Sequence, residues 1–569
     1  MVEPICNVQM KKIIISALLL ISACRLLQAQ LPDALKWHKY ELRFTSSNNY
    51  ENPVQDVRSF EVDFVSPTGI LKTITGFWDG GTSWKVRFMP WENGIWTFES
   101  KCSDSKNPGL NGQTGSFLCK PNTDQKDIYK HGPIINPTGT FYLTHSDGTP
   151  FFWLACTAWN GALKSTDAEW DQYLQQRVSN NYSAIQFVTT QWRGCDKSSE
   201  GLVAFEGSGR IRINPEFFRL IDRKTDRINE YGLVAAPVIL WTLQTGQGRE
   251  LSPGYYLPDD QAILLAKYIV ARYTGNNVVW ILGGDGDYTG TFEQRWKTIG
   301  RAVFDGKQQG IVAQHPRGRS WIGEVYKDEQ WLNIVGYQSS HSKAEGTVNW
   351  ITKGPMTKMW SHLPSRPIIN LEPNYEEINF NTSDRDVRNA VCWSLFATPI
   401  AGITYGANGI WPWLHKGERI LNHGDSPGTS SWDVSINFPG SIQMGYLAQF
   451  IKKFEWWRFC PAPELLAEQP GEKVFNQFVS VVKTPDNKII LAYLPVKLTI
   501  KIRKPTDKSY SVRWFDPVKN TYSDGTGSDD GNMLTITSPN DNDMLLILEE
   551  NIPVNIKIQN RKNVIKNIK

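Results

Sequence analysis

A chain of 569 residues is too long for one hydrophobic core, and its apolar patterning divides best into three domains. With 61 Lys and Arg against 57 Asp and Glu, and no basic stripe before the last twenty residues, the charge argues against a nucleic-acid partner. The 23 Trp, beside 20 Tyr and 25 Phe, fit β-rich cores and also provide flat faces of the kind that stack on sugar rings.

Near the N-terminus, Lys11-Lys12 precedes the apolar run Ile13 to Ala23, too short to span a bilayer but suited to the core of a signal peptide. Export to a secreted or periplasmic location is expected, with residues 1–29 removed after Ala29; the alternative is lipidation at Cys24 in Ile21-Ser22-Ala23-Cys24. No later segment is apolar enough to cross a membrane. The remaining cysteines meet an oxidising compartment. Cys102 and Cys119 flank a Gly/Asn/Ser-rich turn and are candidates for a hairpin bridge, while Cys156 and Cys195 are either a bridge or two separate thiols. None stands in zinc-ligand spacing.

From residue 30 to 125 the apolar period is two. Phe60, Val62 and Phe64 alternate with Glu61 and Asp63, Trp84, Val86 and Phe88 alternate with Lys85 and Arg87, and Asn93-Gly94 is a hairpin signal before Ile95. This spacing predicts an immunoglobulin-like β-sandwich. Residues 121–140 read as a polar connection.

Within 126–458 buried strands alternate with helices: Phe151–Trp159, Ala184–Thr189, Leu233–Trp241, Asn277–Gly284, Gly310–Gln314, Asn333–Gln338, Pro367–Leu371 and Ala401–Gly406. Capping boxes at Thr166-x-x-Glu169 and Ser383-x-x-Asp386 open two of the helices. Alternation of this kind makes the strands parallel with right-handed crossovers, and eight of them fit a closed (β/α)8 TIM barrel. From 459 to 550 the period returns to two, as in Leu498, Ile500 and Ile502, predicting a second small β-sandwich before a basic tail, 551–569. The fold class is thus α/β plus all-β.

Active sites of such barrels lie on the segments after the strands. Those positions hold Trp159 and Asn160 after strand one, Gln191 to Arg193 including Trp192 after two, Asp285 and Asp287 after four, His315 and Arg317 after five, Gln338 and His341 after six, Glu372, Tyr375 and Glu376 after seven, and Trp411 and Trp413 after eight. Acids, amides, His and Trp together suit a hydroxyl-rich ligand. Any one of these residues is more often structural than catalytic. Asp285 and Glu372, at the ends of strands four and seven, gain weight jointly, because carboxylates there face one pocket in which one serves as acid and the other as nucleophile. Asp287, Glu376 and Glu377 are the fallback acids. Strand one has no His-x-His for a metal amidohydrolase, and no Gly-x-Ser-x-Gly marks a serine hydrolase. His315 and His341 stand apart in sequence, so no metal or cofactor is expected.

At these residues the chain resembles the apiosidase-like glycoside hydrolases, family 140 and its relatives, through Phe151 to Trp159, Leu282-Gly283-Gly284-Asp285, His315-Pro316-Arg317-Gly318, Gln338-Ser339-Ser340-His341, Glu372-Pro373-Asn374-Tyr375-Glu376 and Thr404-Tyr405-Gly406. The first sandwich resembles the β-domain often fused ahead of such barrels, through Gly76 to Gly80 and Arg87 to Pro90. The last resembles a module named for collagen binding, through Trp514-Phe515-Asp516-Pro517. The resemblance implies Asp285 as general acid/base and Glu372 as nucleophile, with Trp159, Asn160, Trp192, Asp287, His315, Gln338, His341, Tyr375 and Trp411 around the substrate. The family commonly carries Gly-Asp-Thr-Ala-Trp where this chain has Ala155-Cys156-Thr157-Ala158-Trp159, which replaces an acid that could bind a sugar hydroxyl. The expectation is an exported, retaining, exo-acting glycosidase of a complex polysaccharide, with a pectic side chain as one candidate substrate. The rival is an inactive cell-surface protein that binds carbohydrate or matrix.

Overall fold

The computed structural model describes residues 31–378, 381–424 and 430–551. The signal-like segment, Ala29, Cys24 and the tail beyond Asn551 lie outside them. Among the described residues no helix is long and apolar enough to cross a membrane.

The N-terminal domain is a sandwich of a five-stranded and a three-stranded sheet. The alternating residues meet between the sheets: Val62 and Phe64 from one, Val86 and Phe88 from the other, with Phe64 stacked on Phe88 at 4.2 Å. Asn93-Gly94 turns the chain but makes no hairpin. Strand Ser83–Phe88 belongs to the smaller sheet and Gly94–Cys102 to the larger, so the turn carries the chain from sheet to sheet. The Cys102–Cys119 bridge is likewise overturned: Cys119 lies opposite Gly94 and Cys102 opposite Phe60, at opposite ends of one strand, and both thiols are free. The expected polar connection instead contains helix Asp127–Lys130 and strand Ile134–Ile135, which joins a small sheet leading into the barrel.

All eight barrel strands form: β1 Trp153–Thr157, β2 Ala184–Val188, β3 Val234–Trp241, β4 Val279–Gly286, β5 Ile311–Pro316, β6 Ile334–Gln338, β7 Ile368–Glu372 and β8 Gly402–Tyr405. They pair in parallel in the order β7-β6-β5-β4-β3-β2-β1-β8. Glu376 closes the ring. Its N–H donates to Gly406 C=O and its C=O accepts from the Asn408 N–H, each at 2.9 Å, in a parallel bridge opposite Ala407. Both predicted capping boxes are present, at Thr166 and Ser383.

The C-terminal domain packs a six-stranded sheet on a three-stranded one. Its central strand, Met544–Glu550, is apolar on both sides: Leu546 and Leu548 enter the sandwich core, while Leu545 and Ile547 join the core of the barrel. Phe515 stacks on Phe450 of helix Pro439–Ile451 at 4.5 Å. The barrel therefore uses the outer face of this sheet as a wall.

A buried arginine–aspartate fork ties each flanking domain to the barrel. Arg87 of the first sandwich donates to Asp222 Oδ1 and Oδ2 at 2.9 and 2.8 Å, and Arg272 grips the same carboxylate at 2.7 Å with both Nε and Nη2. Burial pushes the Asp222 carboxyl up, and the two guanidinium groups more than reverse this, holding it well below the usual carboxylate range. At the other end Arg388, on helix Asp384–Phe396, donates to Asp543 at 2.9 and 2.7 Å.

Candidate active site

β4 ends in Gly283-Gly284-Asp285-Gly286, and the glycines are steric requirements. A Cβ on Gly284 would strike the Trp241 ring, one on Gly283 the Tyr288 hydroxyl and one on Gly286 Thr242. The ladder to β5 slips at this point, and Asp285 adopts φ +48°, the left-handed region that a non-glycine residue seldom occupies. The strained turn aims the Asp285 N–H at His315 Nδ1, 3.1 Å away.

Glu372, the last residue of β7, lies between two histidines. His341 Nε2 is 3.1 Å from Oε1, and His315 Nε2 is 3.0 Å from Oε2 in a contact whose angle falls outside hydrogen-bond geometry. Their hydrogen-bond partners distinguish the two rings. His315 accepts the Asp285 N–H at Nδ1, which places its proton on Nε2, facing Glu372. His341 has Nδ1 at 3.0 Å from Pro373 C=O and Nε2 at the carboxylate, so both of its ring nitrogens face oxygen acceptors. Burial and then the Glu372 charge push the Asp285 carboxyl up to about 7. Burial also acts upward on Glu372, but the close contacts and charges of His315 and His341 overcome it and hold this carboxyl well below its ordinary range. Two residues distant in sequence and expected to act separately thus converge on one carboxylate.

Tyr375 lies against His341, ring centroids 4.2 Å apart, and its hydroxyl accepts from Trp159 Nε1 at 2.8 Å. Burial and then the neighbouring Glu372 charge push its phenol far above the usual value. Asp287 sits at the rim, paired with Arg317 at 2.5 Å. Gln338 is buried at the end of β6, and among the described residues its Oε1 meets no hydrogen-bond donor.

The expected platforms are placed differently. Trp159, Asn160 and Trp192 are each 1 % exposed and Trp411 6 %, so none of the first three offers an open face to a sugar. The hydrogen bonds of Asn160 go to Gly194 C=O, Pro412 C=O and the Trp192 indole. Trp192 lies 4.2 Å from Trp241, which meets Trp159 edge-on at 5.5 Å. These residues form the wall behind the carboxylates. Trp241 was missed by sequence reasoning because it is the last residue of an apolar run; the large ring at a strand end was the available signal. Glu376 is occupied elsewhere, accepting from Tyr405 Oη at 2.6 Å and Gly440 N–H at 3.2 Å, with burial pushing its carboxyl up to about 7. Cys156 faces helix Asp167–Ser179, where Arg177 Nη1 lies 3.7 Å from its sulfur, so the departure from the family pattern falls outside the pocket. Cys156 and Cys195 are both free.

Residues 138–458 match the family described as Apiosidase-like, catalytic domain, and residues 33–103 match a domain of unknown function, DUF5060. No curated protein matches. Among solved structures, a glycoside hydrolase shares 22 % identity, covering 74 % of this chain and 97 % of its own at a TM-score of 0.62. A glycoside hydrolase family 5 protein from Bacteroides vulgatus shares 20 %, covering 74 % and 94 % at 0.63. A candidate glycoside hydrolase from the same organism shares 17 %, covering 92 % of this chain and all of its own at 0.68, so the fold extends across all three domains. With more than half its length within the family match and carboxylates at the ends of β4 and β7, the chain belongs to the apiosidase-like family of glycoside hydrolases.

Proposed function

We propose that this glycosidase is retaining and exo-acting, with Asp285 as general acid/base and Glu372 as nucleophile. The observation that carries the reading is the placement of the two carboxyls at the ends of β4 and β7, Glu372 held between His315 and His341 while burial and the Glu372 charge raise Asp285. Below about pH 7 Asp285 holds a proton for the glycosidic oxygen. As the anomeric C–O bond breaks, Glu372 bonds to the anomeric carbon. Water then displaces Glu372 and gives its proton to Asp285, which restores both groups. His315 and His341 orient the nucleophile and keep it ionised.

The exo reading rests on the tryptophan wall and on loops that hold each other. Arg193, after β2, donates to Asn422 C=O at 2.9 Å, and the Asn422 amide donates back to Arg193 C=O at 2.8 Å. A groove closed on that side admits a chain end or a side branch. A pectic side chain is the first substrate to test, and the run Ile13 to Ala23 supports export.

The decisive experiment follows product stereochemistry by proton NMR during hydrolysis of pectic oligosaccharides. Release of the same anomer as the substrate, as single short products from the start, is expected. The opposite anomer would replace retention with inversion, and a ladder of internal fragments would replace exo attack with endo attack. A chain that binds these oligosaccharides without turnover would be the inactive carbohydrate-binding rival.

A further inference from the structure

Between the barrel and the C-terminal sandwich lies a cavity of about 280 Å³, separate from the catalytic carboxylates but built on the same two loops. Ser342, on its wall, follows His341, and Asn374 stands two residues beyond Glu372; the facing wall includes Phe475 and Asn476. The lining combines the exposed amide of Asn476, the half-buried Asn389, whose Oδ1 already accepts from Tyr493 Oη at 2.5 Å, and the buried Asn374 with the half-buried ring of Phe475 and the largely buried Trp393. An amide carries a donor and an acceptor side by side, which matches vicinal hydroxyls, and ring surfaces match the CH face of a sugar.

The cations beside the cavity are already engaged. Lys343 donates to Asn381 C=O at 2.6 Å and lies 3.6 Å from Asp386, while Arg385 donates to Pro495 C=O at 2.7 Å and Asp541 C=O at 3.2 Å. An anionic ligand would have to displace these partners; a neutral polyol would not. Asn374 is 3 % exposed, and its Oδ1, which meets no donor among the described residues, lies behind the lining with almost no accessible surface of its own.

From this lining we propose that the cavity is a second saccharide site, which holds a neutral sugar of the same polysaccharide whose terminal unit is cleaved between Asp285 and Glu372. The proposal rests on the glycosidase reading and extends it: the C-terminal sandwich contributes directly to substrate recognition.

The test reads binding without turnover, so failure of the catalytic assignment leaves it intact. Full-length protein carrying Glu372→Gln is titrated calorimetrically with galactotetraose, arabinotetraose and, as the anionic control, tetragalacturonate. At least one neutral tetraose is expected to bind, and adding Asn476→Trp, which fills the cavity from its exposed wall, weakens that binding by about tenfold. Asn476→Ala, which introduces no bulk, moves affinity in the same direction. Unchanged affinity in both double variants, no binding of either neutral tetraose, or preference for tetragalacturonate would each overturn the proposal.

Discussion

The molecule treats buried polar groups differently at its first domain seam and at the mouth of its barrel. In the seam between the first sandwich and the barrel, Arg87, Arg272, Lys85, Asp222, Asp79 and Glu41 each have an opposite charge within about 3 Å. At the barrel mouth, several polar atoms meet no hydrogen-bond partner among the described residues: Trp241 Nε1, the Tyr288 hydroxyl, both Gln314 side-chain atoms and Gln338 Oε1. Strain collects there too, since Asp285, Arg319, Ser340, Glu377 and Trp413 all take positive φ in segments at or beyond strand ends. An ion-paired network fixes geometry, and strained, unpaired groups gather where a fold does its chemistry. The seam stabilises the fold so that the mouth can remain incomplete.

That contrast predicts which property each substitution damages. The largest effect belongs to Asp285→Asn and Glu372→Gln, each expected to lower kcat by about a thousandfold or more with folding intact. Asp285 is also a sign test. Its raised pKa means the folded state is penalised as the carboxyl ionises, so stability from the neutral form is present at low pH and lost as pH rises through about 7. Asp285→Asn should therefore melt higher than wild type at pH 8, and an equal or lower melting temperature would place the mouth in the same class as the seam.

Next comes Asp222→Ala, which strands two buried guanidinium groups and should cost about 3–5 kcal/mol of stability while the surviving folded molecules keep their kcat. Denaturant titration with active-site counting separates these quantities. If kcat falls while stability holds, the seam is part of the machinery. Glu376 lies between the two classes, buried and paired but with its carboxyl raised to about 7 from 4.5. The sign matches that of Asp285: stability fully present below about 4.5 declines as pH rises through 7, by about 3 kcal/mol. Glu376→Gln should flatten that decline, and a variant with the wild-type pH profile would show that the carboxyl is ionised in the fold at neutral pH. The smallest effect is assigned to Trp159→Phe, which removes the hydrogen bond to Tyr375 and part of the buried ring, about 1–2 kcal/mol of stability with KM unchanged. A rise in KM without a loss of stability would restore Trp159 as a sugar platform.

Those residues also mark where sequence reasoning succeeds and where it stops. The eight strands were legible because buried parallel strands are uninterrupted apolar runs, and Asp285 and Glu372 stood out as acids that end such runs. The direction of a side chain at a strand end is a different matter. Trp159, Asn160 and Trp192 have the right position and chemistry for sugar contact, yet their polar atoms meet one another and the backbone behind the pocket. Asn93-Gly94 and the Cys102–Cys119 pair misled for a related reason: a turn signal states that the chain reverses, not which sheet receives it. The convergence of His315 and His341 on Glu372 depends on the side-by-side ends of β5, β6 and β7, which no local pattern encodes.

The place of strand Met544–Glu550 has a consequence in time. It lies in the middle of its sheet, paired with Ile489–Leu494 on one side and Tyr510–Asp516 on the other. During synthesis the barrel segments emerge first, but this strand, which covers part of the barrel with Leu545 and Ile547, is made more than ninety residues after helix Pro439–Ile451. Until it arrives, Phe450 and its neighbours lack their full cover and two strands lack their shared partner. Ribosome-bound chains halted before residue 544 would therefore present a sticky, unfinished barrel, and this late-closing step is where a holding chaperone would act.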